Sequence, residues 1–280
     1  MSLVTRIICA LTLLNAASVL CSAQSRNGTL LPQTQAKRPN FDQFEVATIK
    51  PTPPDWTGGR FIRMQTAQQF VARNHGLNTL IAAAYNLSPQ AISGGPKWVI
   101  SDHYDILAKT PGEVRPNLDE QMSMLRNLLV DRFKLASHFE QKELPIYALS
   151  VAKNGPKLKE STVAPDASPE GPPPLVFVLS PEVARLPARY ATMGEFASVL
   201  QRSPLDRPVV DQTGLSGRYD FDLEFAPDES LWGGLLARPA NSDKPSLFEA
   251  MREQLGLRLE ATRGPAQTLV IDHVERPSEN

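Results

Sequence analysis

Two segments of this chain, Tyr104-Asp105-Ile106-Leu107-Ala108 and Tyr219-Asp220-Phe221-Asp222-Leu223, occupy the same place in two similar successions of elements. A chain that repeats such a succession folds as two related halves. Each segment follows a helix candidate, Thr79 to Leu87 in one half and Met193 to Gln201 in the other. Counting back from the Tyr-Asp pair without a gap, Leu80-Ile81 and Ala84-Tyr85 fall opposite Glu195-Phe196 and Val199-Leu200. Downstream, each half continues with an amphipathic helix, a short strand and a closing apolar strand. In the first half these are Leu118–Asp131, Phe133–Phe139 and Leu144–Val151. In the second they are Leu247–Leu255, Leu257–Ala261 and Thr268–Val274. Between the halves, residues 163–174 hold five prolines among twelve residues and read as a linker or long loop.

Local signals agree with this division. Asn117, Thr192 and Ser246 are each followed three residues later by a glutamate, Glu120, Glu195 and Glu249. The cap side chain accepts from a free backbone N–H and the glutamate reaches back, which marks a helix start. Leu118, Met122, Leu125 and Leu129 form one apolar stripe, as do Leu247, Met251 and Leu255, and Gly256 is placed to end its helix in a left-handed conformation. Tyr219, Phe221, Leu223 and Phe225 alternate with acidic residues, the period of a sheet with one buried face. Leu144 to Val151 is apolar nearly throughout, as in a strand covered on both faces. Short strands and helices mix without regular alternation, so the expected class is α+β, two related halves of short strands and helices.

Residues 1–23 have the pattern of a cleavable signal peptide. Arg6 is basic, Ile7 to Leu20 is largely apolar, and Cys21-Ser22-Ala23 supplies small residues before the cleavage point. The apolar run is shorter than a bilayer span requires, and no later segment is long and apolar enough to span. The chain is therefore expected to be exported, periplasmic or secreted. Both cysteines, Cys9 and Cys21, lie in the removable segment, which leaves a cysteine-free mature chain with no disulfide, thiol nucleophile or cysteine metal site. Residues 24–43 read as a flexible lead, 44–162 as the first half, 175–276 as the second, and 277–280 as a tail. A formal net charge of −1 argues against a nucleic-acid partner.

No motif assigns a reaction. Asp211-Gln212-Thr213-Gly214 resembles the Asp-Thr-Gly loop of aspartic proteases but carries one residue too many, and it reads as a turn. Ser150-Val151-Ala152-Lys153 has a Ser-x-x-Lys spacing, yet it sits at a strand end, where the lysine is not brought back to the serine. Asp220, Asp222 and Glu224 share a strand face and read as a solvated face rather than a cation site. His75, His103, His138 and His273 show no zinc-ligand spacing. No cofactor or metal is expected and no catalytic residue is named. A convergent hydrolase site around Asp102, His103 or His138 is the alternative. The candidates for contact with a ligand or partner are Gly94 and Gly95 with Trp98, where a tight turn sits beside a large aromatic, together with Trp56 and Trp232 in Gly-rich loops.

Several blocks in order resemble a family of soil-associated secreted proteins defined by a domain of unknown function. They are Phe44 to Lys50, Gly94 to Trp98 with Tyr104-Asp105-Ile106, Asp131 to Leu135, Glu143 to Tyr147, Val151 to Leu158, and Arg207 to Leu215. The resemblance runs over roughly residues 44–276. It implies no reaction. Some relatives look like the extracytoplasmic part of membrane peptidase-type antibiotic sensors, which implies sensing or binding; this chain departs from them in having no membrane segments. The order of elements in each half also looks like the short N-terminal domain of secretins and TonB-dependent transducers. The expected function is a non-catalytic binding or protein-interaction module of the cell envelope, for an unknown protein or small envelope ligand. Strand addition at an open sheet edge is the expected mode. A soluble sensor-like domain with a closed apolar pocket is a further alternative.

Overall fold

A computed structural model describes residues 38–162, 174–180, 182–234, 236–240 and 242–277. The expected signal peptide, most of the lead and all but the last residue of the proline-rich linker lie outside the described residues. Among the described residues twelve strands form three four-stranded sheets, accompanied by five α-helices, a mixed α/β architecture.

The first sheet contains β1 (Val46–Pro51), β2 (Phe61–Met64), β3 (Gln69–Gly76) and β5 (His103–Lys109), in the order β1-β5-β3-β2 and antiparallel throughout. Between β3 and β5 run α1 (Leu77–Ala84), the three-residue β4 (Ile92–Gly94) and α2 (Trp98–Ser101). Then α3 (Leu118–Arg132) leads into β6 (Ala136–Val151). The second succession matches it. β7 (Lys159–Glu160), β8 (Val178–Leu179), β9 (Ala184–Ala191) and β11 (Tyr219–Phe225) form a sheet in the order β7-β11-β9-β8, again antiparallel. α4 (Met193–Arg202) and β10 (Val209–Asp211) separate β9 from β11, and α5 (Leu247–Ala250) leads to β12 (Leu257–His273).

The Tyr-Asp pair has a structural reason, and it is the same in both sheets. β3 and β9 each carry a bulge opposite it, where Asn74 and Tyr190 take left-handed backbone, φ 58° and 54°. Such a residue turns its N–H out of the ladder. The Asp105 carboxylate accepts the Asn74 N–H at 3.0 Å, and Asp220 accepts that of Tyr190 at 2.8 Å. The hydroxyl just after the first strand completes the device: Thr52 donates to Asp105 at 2.9 Å, and Ser161 bonds Asp220. Burial opposes ionisation of Asp105, but the Asn74 amide, the Thr52 hydroxyl and the Arg73 guanidinium hold its pKa below the usual range.

All three expected capping boxes form, at Asn117, Thr192 and Ser246. Gly256 adopts φ 64° after a π-helical turn at Met251–Leu255. β11 alternates as expected, with Tyr219, Phe221, Leu223 and Phe225 buried. The helices depart from the ungapped count by one residue. Gly76 and Thr192 are the N-caps of α1 and α4, which sets Leu77, Leu80 and Ala84 opposite Met193, Phe196 and Leu200, all buried. The lead is docked from Arg38 onward: Arg38 pairs with Glu120 and Phe41 is buried.

The larger departure concerns the closing strands. The four short strands expected there are two continuous ones, β6 of 16 residues and β12 of 17, paired antiparallel along their length. Phe133 is not a strand residue but the buried C-cap of α3. Pro145 and the Gly264-Pro265 step lie within the hairpin, and neither interrupts it. The Tyr147 N–H donates outward to the Pro208 carbonyl at 2.8 Å, so the odd-numbered residues of β6 point their backbone groups away from β12. Pro145 is one of these, and Pro265 opposite Glu143 is its counterpart on β12. Each proline lacks an N–H only where the ladder does not use one.

This hairpin joins the halves by exchange. β10, from the second half, pairs parallel with β6 of the first, and β4, from the first half, pairs parallel with β12 of the second. Leu149 of β6 packs into the second-half core, while Leu269 and Ile271 of β12 complete the first-half core.

Candidate functional site

The sequence-named residues do not converge. Gly94 and Gly95 adopt φ 80° and 75° where β4 meets β12; a Cβ on Gly94 would lie 2.8 Å from the Ile271 carbonyl oxygen. Their backbone freedom therefore serves close strand approach. Trp98 opens α2, packs on the first core and is covered by Arg276, 5.0 Å from the ring centroid. Trp232 closes the second core. It stacks on Phe225 at 6.1 Å, meets Phe177 edge-on, and donates its indole N–H to Ser203 at 3.1 Å. Trp56, 36% exposed, is the most open of the three and lies under Arg73.

The residues of the hydrolase alternative are each taken up by different partners. Asp102 accepts two bonds from Arg276 and one from Ser101, which hold its pKa low. His103 Nδ1 meets the Asn74 side-chain oxygen at 2.6 Å. His138, on the central hairpin, lies between Asp272 and Glu140, whose carboxylates raise its pKa. The acidic face of β11 is likewise engaged: Asp222 by Arg189, and Glu224 by Arg185 and Lys244. Asp211 accepts from the N–H and hydroxyl of Thr213, as a turn does. Among the described residues no group of three or more His, Cys, Asp or Glu is arranged to hold a metal ion, and no helix is long and apolar enough to cross a membrane.

A different set of residues does converge. The two cores draw on opposite ends of the hairpin, Leu149, Leu257 and Leu259 in one and Leu269 and Ile271 in the other, and between them lies a stretch with Gln141, Pro265 and Gln267 exposed. There a half-open cleft of about 400 Å³ forms. Gln141 and Gln267, directly opposite each other in the β6–β12 ladder, lie in it with Pro265, two residues before Gln267 on the same strand. The end of α1 brings Tyr85 and Asn86, and α4 brings Ser198 and Gln201. The walls are tied together across the halves. Asn86, at φ 57°, donates from its side chain to Ser198 Oγ at 3.0 Å, and Gln201 donates to the Asn86 carbonyl at 2.9 Å. Gln201 also accepts the Val209 N–H at 3.1 Å, fixing the start of β10. Phe139, 48% exposed, meets Tyr85 edge-on at 6.0 Å and extends the aromatic lip.

Sequence reasoning did not find this cleft. Single amides scattered from Asn86 to Gln267 form no motif, and the only local sign is Asn86, a residue type that tolerates left-handed backbone, at the end of a helix.

Residues 78–274 match the family described as Protein of unknown function (DUF3738). The chain belongs to this family; the matched residues begin in α1, after the first three strands, and include the hairpin and every residue of the cleft. No curated protein and no solved structure matches the chain.

Proposed function

We propose that this chain is an exported, non-catalytic binding module of the cell envelope, built from a duplicated β-α-β unit, with the cleft between its halves as the recognition surface. One observation carries the reading: the cleft is assembled from both halves at once, and its floor presents two amide side chains, Gln141 and Gln267, that make no hydrogen bond within the described residues. Unengaged polar groups beside an aromatic lip bind a ligand; with no acid–base pair among them, they do not activate one. Export is supported by the pattern of residues 1–23. Edman sequencing of the exported protein should begin at Gln24, and an intact N-terminus would overturn that part. The soil-associated subgroup and the secretin-like order of elements belong to the same proposal and rest on sequence blocks and element order.

A thermal-shift screen of the full chain tests the cleft. A ligand at about 100 times its dissociation constant adds roughly 2.7 kcal/mol. Bound ligand should slow amide exchange at residues 85–87, 209–211 and 266–267; slowing confined to other segments would sink the assignment.

Strand addition is the second reading, favoured by the outer edge of β6 from Ser137 to Glu143, which pairs with no strand among the described residues. Pro145 ends that edge and Pro265 interrupts the corresponding edge of β12, the usual protection of exposed strands. A pairing peptide would have about seven residues of β6 to follow, and exchange slowing at Ser137, Phe139 and Gln141 would reveal it.

A further inference from the structure

We infer that the cleft between the halves takes a neutral carbohydrate, a reading that rests on the cleft being the recognition surface. The inference begins from charge. No lysine, arginine or histidine lines the cleft among the described residues, so a phosphate, sulfate or carboxylate would meet no counter-charge. The one ionisable carboxyl, Asp211, has its Oδ1 held by the Thr213 N–H and hydroxyl, and the lining offers a cation no second carboxylate beside it. What remains is uncharged and polar. Gln141 and Gln267 stand opposite each other, and each offers a carbonyl acceptor and an amide donor on one group. Vicinal hydroxyls present the matching pattern, since each both donates and accepts. A peptide backbone, by contrast, separates its donors and acceptors along an extended strand and is better met by a sheet edge than by side-chain amides.

The second requirement of sugar recognition is a flat apolar surface for ring C–H groups. Tyr85 lines the cleft, and its ring is held in place by Phe139 edge-on and by the Arg126 guanidinium, 5.9 Å from its centroid. Arg126 itself is anchored on the Ala84 carbonyl at 2.6 Å. The ring is thus oriented before any ligand arrives, which lowers the ordering cost of binding. Pro265 and Pro208 add rigid apolar wall. A volume of about 400 Å³ is within the range of small-molecule sites, and a half-open cleft admits a chain that continues into solvent.

The test uses the full chain and four probes by isothermal titration: cellotetraose, xylotetraose, chitotetraose and, as the acidic counterpart, tetragalacturonate. At least one neutral tetrasaccharide should bind saturably, with an affinity unchanged between low and high salt and above that for tetragalacturonate. The double variant Gln141→Ala/Gln267→Ala should weaken it about tenfold or more while leaving the melting temperature without ligand unchanged, because both side chains are exposed and unbonded. Tyr85→Phe tests the stacking face without opening a hole, and should retain most of the affinity. No binding by any neutral probe, a preference for tetragalacturonate, or full binding by the double variant would each overturn the carbohydrate assignment. Should a non-carbohydrate ligand slow exchange at residues 85–87 and 266–267, the cleft stands and the sugar falls. Should a neutral sugar bind and slow exchange only elsewhere, both fall.

Discussion

At the bulge of the first sheet the residue in left-handed backbone is Asn74; in the third sheet it is Tyr190. Asparagine tolerates that conformation well, and a bulky aromatic does not. The surroundings differ to match. The Asn74 side chain meets His103, next to the half-buried His75, whereas Tyr190 is clamped by Arg218, which lies 4.6 Å over its ring and donates to its carbonyl at 2.9 Å. Ala191 stands where the first half has His75, and the Thr192 capping box stands where it has Gly76. What the two sites share is the aspartate that accepts the displaced N–H and the hydroxyl that orients it. The comparison separates what the backbone requires from what side chains may vary: a bulge needs an acceptor, and its neighbours are free to become titratable or inert.

The largest expected effect tests whether the two halves are separable at all. Leu269 comes from the last strand but is fully buried in the first-half core. Leu269→Ala should cost about 3 kcal/mol or more and should shift one cooperative urea transition, followed by both fluorescence and circular dichroism. Two separate transitions would break the view of interlocked halves.

Next is the difference in titration. The His75 ring is largely enclosed, and burial, aided by Arg60, lowers the His75 pKa to about 4. Between pH 6.5 and about 4 the unfolded chain binds a proton there that the folded chain does not, so stability falls as pH is lowered through that window. The loss amounts to at most about 3 kcal/mol. His75→Ala, which copies Ala191, should flatten this slope. His138 acts in the opposite sense, since its raised pKa contributes stability below pH 6.5 that is lost as pH rises. A slope that survives in His75→Ala would refute the assignment.

The aspartates come third. Asp105→Ala leaves the Asn74 N–H, Thr52 and Arg73 without their acceptor and should cost about 2 kcal/mol. Asp220→Ala should cost less, because Arg218 still holds Tyr190 by its carbonyl and ring. Equal losses in denaturant melts would show that the clamp contributes nothing. Smallest is the helix cap: Thr192→Ala should cost about 1 kcal/mol, and Thr192→Gly, which gives α4 the cap of α1, only a few tenths.

How much was legible in the sequence followed the range of each interaction. The capping boxes at Asn117, Thr192 and Ser246, the left-handed Gly256 and the alternation of β11 all formed, because each depends on groups within a few residues of one another. The Tyr-Asp pairs were visible as a repeat, but not as bulge locks, since their partners Asn74 and Tyr190 lie about thirty residues earlier. Pro145 lay inside the expected strand Leu144–Val151, whereas the run of β12 through Pro265 was not expected. Whether a proline breaks a strand depends on which way its missing N–H would point, and pairing alone decides that.

By itself, then, the sequence determined the helix ends, the buried face of β11 and the doubling of the element order, all properties of short stretches. Tertiary structure decided the fusion of four expected strands into one long hairpin, the exchange of β4 and β10 across it, and the meeting of Tyr85, Gln141, Gln201 and Gln267 in one cleft. The physical reason is that backbone pairing and apolar burial select partners by shape and register over the whole chain. No residue carries a local mark of the distant strand beside which it will lie.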